Sequence, residues 1–184
     1  MIKSKSTKNV PYPFFLLGLV GCEGMWHYGT IINNGTLILL NSFGTILQIV
    51  YILAYISVCK SKTQPLLYLS IILSYLLGIY GYIYTVYDND NQRGAVLGAS
   101  SSIVTTIMMV LPVFEIVDNF KNKNANGMPP VMLIFGNICA ISWLWYGILL
   151  GDINIYGPNI PGILLNTIKL YAIFLYGGKK EKDL

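Results

Sequence analysis

The sequence predicts an all-α membrane protein. Six transmembrane helices belong to a seven-helix plan, two parallel three-helix repeats joined by a linker helix, with the first helix missing. Three observations carry this. Hydrophobic residues make up 54% of the 184-residue chain and charged ones 11%, about half the charged fraction of a soluble domain. Six apolar runs, 11–29, 37–59, 65–87, 94–117, 129–150 and 155–177, mostly approach the roughly 20 residues that cross a bilayer as a helix. Finally, the chain matches itself at an offset of 118 residues, from Pro11 to Pro129.

The runs are continuous rather than alternating, so they read as helices, whose backbones satisfy themselves in lipid, and not as barrel strands. The first follows three lysines but ends in "MWHYGT", which offers no small-residue cleavage site, and more spans follow it. Basic residues set the orientation. With the N-terminus in the cytoplasm, Lys3, Lys5, Lys8, Lys60, Lys62, Lys121, Lys123, Lys179, Lys180 and Lys182 fall on the cytoplasmic side. Arg93 falls outside and Lys169 within a span. The positive-inside rule selects that arrangement, with both termini cytoplasmic. The loops "NNGT", "YDNDNQRG" and "GDIN" then face outward.

At the offset of 118, Lys3 meets Lys121, Lys5 meets Lys123, Tyr28 meets Tyr146, Gly29 meets Gly147, Asn41 meets Asn159 and Gly44 meets Gly162. Helices 11–29 and 37–59 therefore recur as 129–150 and 155–177. Run 94–117 would pair with a helix ahead of residue 1, and 65–87 has no counterpart. The expected organisation is an incomplete first bundle (1–59), a linker helix with loops (60–93), a second bundle (94–178) and a basic cytoplasmic tail (179–184). Four spans separate equivalent helices, so the repeats run parallel. Without a leading helix, Asn41 and its neighbours are expected to face lipid or another chain.

A three-one-three plan of parallel repeats is that of the SWEET transporters, and the residues resemble that family over nearly the whole chain. "KSKSTKNVPYPF" is similar to the family's loop after its first helix and "NSFGTILQIVYILAYI" to its third helix. "LPVFEIVDNFKNKNANGMPP" resembles the fifth helix and following loop, and "SWLWYGILLGDINIYGPNIPG" the junction of the sixth and seventh, including its Pro-Asn pair. The resemblance is weakest over 60–95. It implies a passive, bidirectional carrier of mono- or disaccharide working by alternating access, in the plasma membrane or Golgi. The alternative is a truncated, non-transporting subunit that associates with complete homologues and modulates them. Partners implied are the sugar, the lipid bilayer and homo- or hetero-oligomers with family members.

Asn41 and Asn159 stand inside apolar runs, where an amide needs a partner, a cavity or water. Each opens a stripe at helical spacing: Asn41, Gly44 and Gln48, then Asn159, Gly162 and Asn166. Such stripes also serve as plain helix contacts. Amides hydrogen-bond sugar hydroxyls and an aromatic face covers a sugar's C–H edge. The resemblance carries sugar contacts to Asn41 and Asn159, with Trp143 as the aromatic wall. Met25, beside Trp26, stands at the position equivalent to Trp143, a departure that bears on which sugar is taken. Thr105 and Met108 are pocket-wall candidates on the stripe Ser101, Thr105, Met108, Pro112. Resemblance also makes Pro11, Pro112 and Pro129 hinge prolines, with Pro13 a rival to Pro11. Read from residues alone, Pro11 and Pro129 are equally ordinary helix-start prolines.

Glu23, Glu115 and Lys169 are charged groups within spans. Glu115 and Lys169 are expected to reach a polar boundary, and His27 to sit at the membrane interface beside Trp26. No chain of acids or histidines suggests proton coupling. There is no catalytic motif, and one histidine with cysteines 22, 59 and 139 outside any CxxC gives no metal cluster. The chain reads as neither an enzyme nor a cofactor or nucleic-acid binder. Asn34 heads a glycosylation sequon close to the membrane, and "KEKDL" resembles a dilysine retrieval signal. Tags at residues 1 and 184 are both expected to be reached by antibody only from the cytosolic side; ends on opposite sides would sink the six-span reading.

Overall fold

The computed structural model describes Thr7, residues 10–125 and residues 129–177. All regular structure among the described residues is helical: α1 (Tyr12–Ile31), α2 (Gly35–Val58), α3 (Thr63–Val86), α4 (Asp90–Val110), α5 (Val113–Asn122), α6 (Pro130–Leu150), α7 (Ile153–Tyr156) and α8 (Asn159–Tyr176). Among the described residues, five helical segments are long and apolar enough to cross a membrane: Gly35–Val58, Thr63–Val86, Asp90–Asn122, Pro130–Leu150 and Ile153–Tyr176. Lys3, Lys5 and Lys8 and the tail 179–184 lie outside the described residues.

Two of the expected runs are interrupted. The run 94–117 becomes α4 and α5, separated at Leu111–Pro112. Pro112 has no N–H to donate and its ring crowds the carbonyl four residues back. The ladder therefore closes at Leu111 N to Ile107 O (3.0 Å) and restarts at Ile116 N to Pro112 O (3.1 Å). Likewise, run 155–177 becomes α7 and α8, parted at Gly157–Pro158. The third difference is α1, which is of membrane length but is not among the five apolar segments. It carries Glu23, His27 and four glycines.

Packing explains that composition. The chain divides into two compact units, residues 1–105 and 106–184. In the first, α1 is the central element: nine of its residues are buried, against two in each of α2 and α3. A helix enclosed by protein need not be apolar all round. Its glycines let neighbours approach. On one side, a Cβ at Gly18 would lie 2.6 Å from Gln48 Nε2, and one at Gly29 would lie 2.8 Å from Leu37 Cβ, both on α2. On another, Gly21 faces Thr105 Oγ1 and Gly24 faces Ser101, both on α4. Residues 94–105, assigned from sequence to a second bundle, thus pack with α1. At one end Tyr12 stacks on Tyr55 (4.3 Å) and donates to the Pro65 carbonyl (3.1 Å), joining α1 to α2 and α3. At the other, Arg93 donates to the Tyr87 carbonyl, pairs with Asp90 and lies 4.8 Å over the Tyr84 ring, tying the end of α3 to the start of α4.

In the second unit α6 packs against α7 and α8, and α5 against α8. Outer faces of both units are apolar: Ile46, Val50 and Leu53 on α2, and their offset partners Leu164, Ile168 and Tyr171 on α8, are all exposed. In water such stripes would drive aggregation; on a spanning helix they are the lipid face.

Gly24→Ala places a methyl into Ser101. It should cost about 1–3 kcal/mol, the range for overpacking a filled contact, read as a lower melting temperature in detergent. Adding Ser101→Gly should restore most of the loss, because the side chain that collides is then gone.

Candidate functional site

The same turn is used twice, leading into α2, which carries Asn41, and into α7, which precedes α8 and Asn159. Asn33 has φ 53° and its offset partner Gly151 φ 67°, the left-handed conformation that ends α1 and α6 and that asparagine and glycine tolerate best. The next residue, Asn34 or Asp152, donates its N–H to Gly29 O (2.8 Å) or Gly147 O (3.0 Å). Its side-chain oxygen then caps the following helix, accepting from Leu37 N (3.0 Å) in the first copy and Asn154 N (2.9 Å) in the second. The Asn34 side chain of the sequon is thus occupied by the cap.

Further along each copy, Asn41 Nδ2 donates to Leu37 O at 2.9 Å and Asn159 Nδ2 to Ile155 O at 2.8 Å. The two amides are repeat-equivalent, half-buried and held by the same bond to the carbonyl four residues back. Beneath them the backbones close in equivalent ways. Gly29 meets Leu37 and Ile38, and Gly147 meets Ile155 and Tyr156; Gly18 meets Gln48, and Gly136 meets Asn166.

Beyond the asparagines the stripes serve packing. Gly44 lies against Cys22 and Gln48 against Gly18, both on α1. The first stripe therefore faces α1, where the sequence expectation turned it toward lipid or another chain. Gly162 lies against Met109 of α4 and Asn166 against Gly136 of α6. Buried Gln48 Oε1 and Thr45 Oγ1 have no hydrogen-bond partner. Met25 and Thr105 are half-buried in the first unit, and Thr105 touches Gly21, one turn from Met25. In the second unit Trp143 is half-buried and packs edge-to-face with Tyr146 at 6.0 Å. Met108 is half-buried, but its neighbour Met109 makes the contact with Gly162. Pro11 and Pro129 are the N-cap residues of α1 and α6. Neither breaks an internal helix bond, so flexing there belongs to helix–loop junctions. Pro112 alone of the three interrupts a span.

A family model described as "Sugar efflux transporter for intercellular exchange" matches residues 1–63 and 95–181. The chain belongs to the SWEET family. It is 32% identical to Sugar transporter SWEET1 of Rattus norvegicus over 181 residues, covering 98% of this chain and 82% of that protein. It is 30% identical to Sugar transporter SWEET1 of Homo sapiens over 183 residues, covering 100% and 83%. The solved structure of a eukaryotic SWEET transporter shares the fold, with a TM-score of 0.83 at 22% identity over 95% of this chain and 83% of that one. The SWEET chain is accordingly an integral, multi-pass membrane protein.

Sequence reasoning missed two polar clusters. His27 Nε2 sits 2.5 Å from the Tyr84 hydroxyl and its ring stacks on Tyr80 (4.8 Å), so it is held by α3 as well as lying beside Trp26. Lys169 is buried: its side chain is 3% exposed and pairs with Glu115 Oε2 at 2.5 Å. Charges inside apolar runs were the available signal, but nothing in the sequence connects partners 54 residues apart.

The repeated cap is testable. Asn34→Ala and Asp152→Ala should each cost about 1 kcal/mol, as lost N-caps do, measured by thermal unfolding in detergent.

Proposed function

We propose that this SWEET-family chain carries mono- or disaccharide passively, in either direction, by alternating access, with Asn41 and Asn159 hydrogen-bonding sugar hydroxyls. The observation that carries the reading is the pair of repeat-equivalent amides in a chain of this family. Each spends one N–H on the carbonyl four residues back, Asn41 within α2 and Asn159 across the break from α8 to α7. That fixes the side chain against the backbone while its carbonyl oxygen and second N–H remain polar groups in an apolar span, suited to a hydroxyl that both donates and accepts. The similarity to relatives known as sugar transporters supports the substrate class.

Trp143 is proposed as the stacking face for the sugar ring, with Met25, Thr105 and Met108 as walls that set its size. Met25 presents a flexible thioether where the offset partner presents an indole, so the two halves offer the sugar different surfaces. The break at Pro112 and the junctions at Pro11 and Pro129 are proposed as the places where helices flex between outward- and inward-open states. Both termini are proposed to face the cytoplasm, as the distribution of lysines suggests, with the chain in the plasma membrane or Golgi.

Flux of labelled sugar into liposomes holding the purified chain tests the reading. Asn41→Ala and Asn159→Ala should each lower flux tenfold or more, equivalent to about 1.4 kcal/mol, with folded yield retained, and Trp143→Ala should do likewise. Full flux in both asparagine variants assigns the amides to packing. No flux from the chain alone, restored on adding a complete homologue, favours the modulating-subunit reading instead.

A further inference from the structure

We infer that Lys169 and Glu115 form a latch that makes α5 move with α8, and that they are positioning residues for the transport cycle. This rests on the proposed transport function. Span Asp90–Asn122 is broken at Leu111–Pro112, so α5 is not held in line by continuous helix bonds. It packs on α8, and the side-chain contacts between them include the Lys169–Glu115 pair at 2.5 Å and the edge-to-face rings of Phe120 and Tyr176 at 5.8 Å.

The two contacts differ in kind. Separated rings lose a modest attraction. A separated ion pair leaves the Lys169 ammonium, whose side chain is 3% exposed, in a low-dielectric interior without a counter-charge, which is far costlier. Lys169 lies seven residues before the end of α8, about 10 Å along the axis, and Glu115 seven before the end of α5. Neither sits in the last turn, where the short distance to water would relieve the cost. Glu115, 43% exposed, is the more accessible partner. The pair therefore makes separation of α5 from α8 the expensive motion and leaves Leu111–Pro112 the cheap one, so bending concentrates at that junction.

The pair's logic also says what removing one charge does. Glu115→Gln strands a cation, and any state of the carrier that hydrates it becomes favoured. A carrier held in one state turns over slowly whatever its affinity for sugar. Removing both charges with apolar side chains of similar volume leaves nothing stranded and keeps the contact.

The test compares wild type, Glu115→Gln, Lys169→Met and the double variant Glu115→Leu/Lys169→Met in liposomes. Flux is expressed per folded, monodisperse carrier and the apparent KM is measured for each. The singles should lose tenfold or more in maximal flux with KM within twofold of wild type, and the double should recover at least a third of wild-type flux. Flux per folded carrier unchanged in both singles overturns the latch, since a merely structural pair lowers only the folded yield. Singles and double equally slow also overturn it, because the charges then act separately. Wild type without flux, alone and with a homologue, is the failure of the transport reading and not of the latch; in that case melting temperatures that fall in the singles and recover in the double still support the pairing, and temperatures unchanged in all three overturn it.

Discussion

Close approach of helix backbones at α1 is the constraint on which the first unit depends. Gly18 and Gly29 admit α2, and Gly21 and Gly24 admit α4. Within a bilayer, burying apolar side chains against one another gains little over leaving them in lipid, so helices associate through dispersion contacts and hydrogen bonds that close distance makes possible. Small residues supply that distance. The same packing accommodates His27 on α1, which meets the Tyr84 hydroxyl of α3.

The repeat is a repeat of backbone constraints more than of side chains. A left-handed residue, a capping side chain, an asparagine bonded to the carbonyl four back, and two glycine contacts all recur at one offset. What fills the space between those points differs. Gln48 stands where the second copy has Asn166. Gly44 rests on Cys22 within its helix pair, while Gly162 rests on Met109 of α4. Tyr51, stacked on Phe15, occupies the position of Lys169 with its ion pair. Turns and close contacts tolerate few residues; the surfaces between them are free to diverge.

That distinction separates what was legible in the sequence from what was not. Helical spans, the offset and the cap-bearing loops could be read because each rests on local chemistry: apolar length, a glycine or asparagine able to take positive φ, a proline at a helix start. The break at Pro112 was legible as a kink, but its extent depends on where the flanking ladder closes. The shortfall of α1 in hydropathy made sense only once its neighbours were placed. The direction of Gly44 and Gln48 on their stripe was not legible, because periodicity fixes a shared face without saying what it meets. Pairing of Lys169 with Glu115 was invisible for the same reason.

The charged groups divide by how they are satisfied, and the division follows the two kinds of support. Arg93 sits at a helix end within reach of water and is shared among a carbonyl, a carboxylate and a ring, so losing one partner leaves others. Lys169 is buried mid-helix with one carboxylate, so everything rests on that pair. Redundant contacts suit a junction between α3 and α4 that holds its geometry. A single contact suits an attachment that either exists or does not, and it stands just beyond Leu111–Pro112, where the backbone itself supplies no continuity.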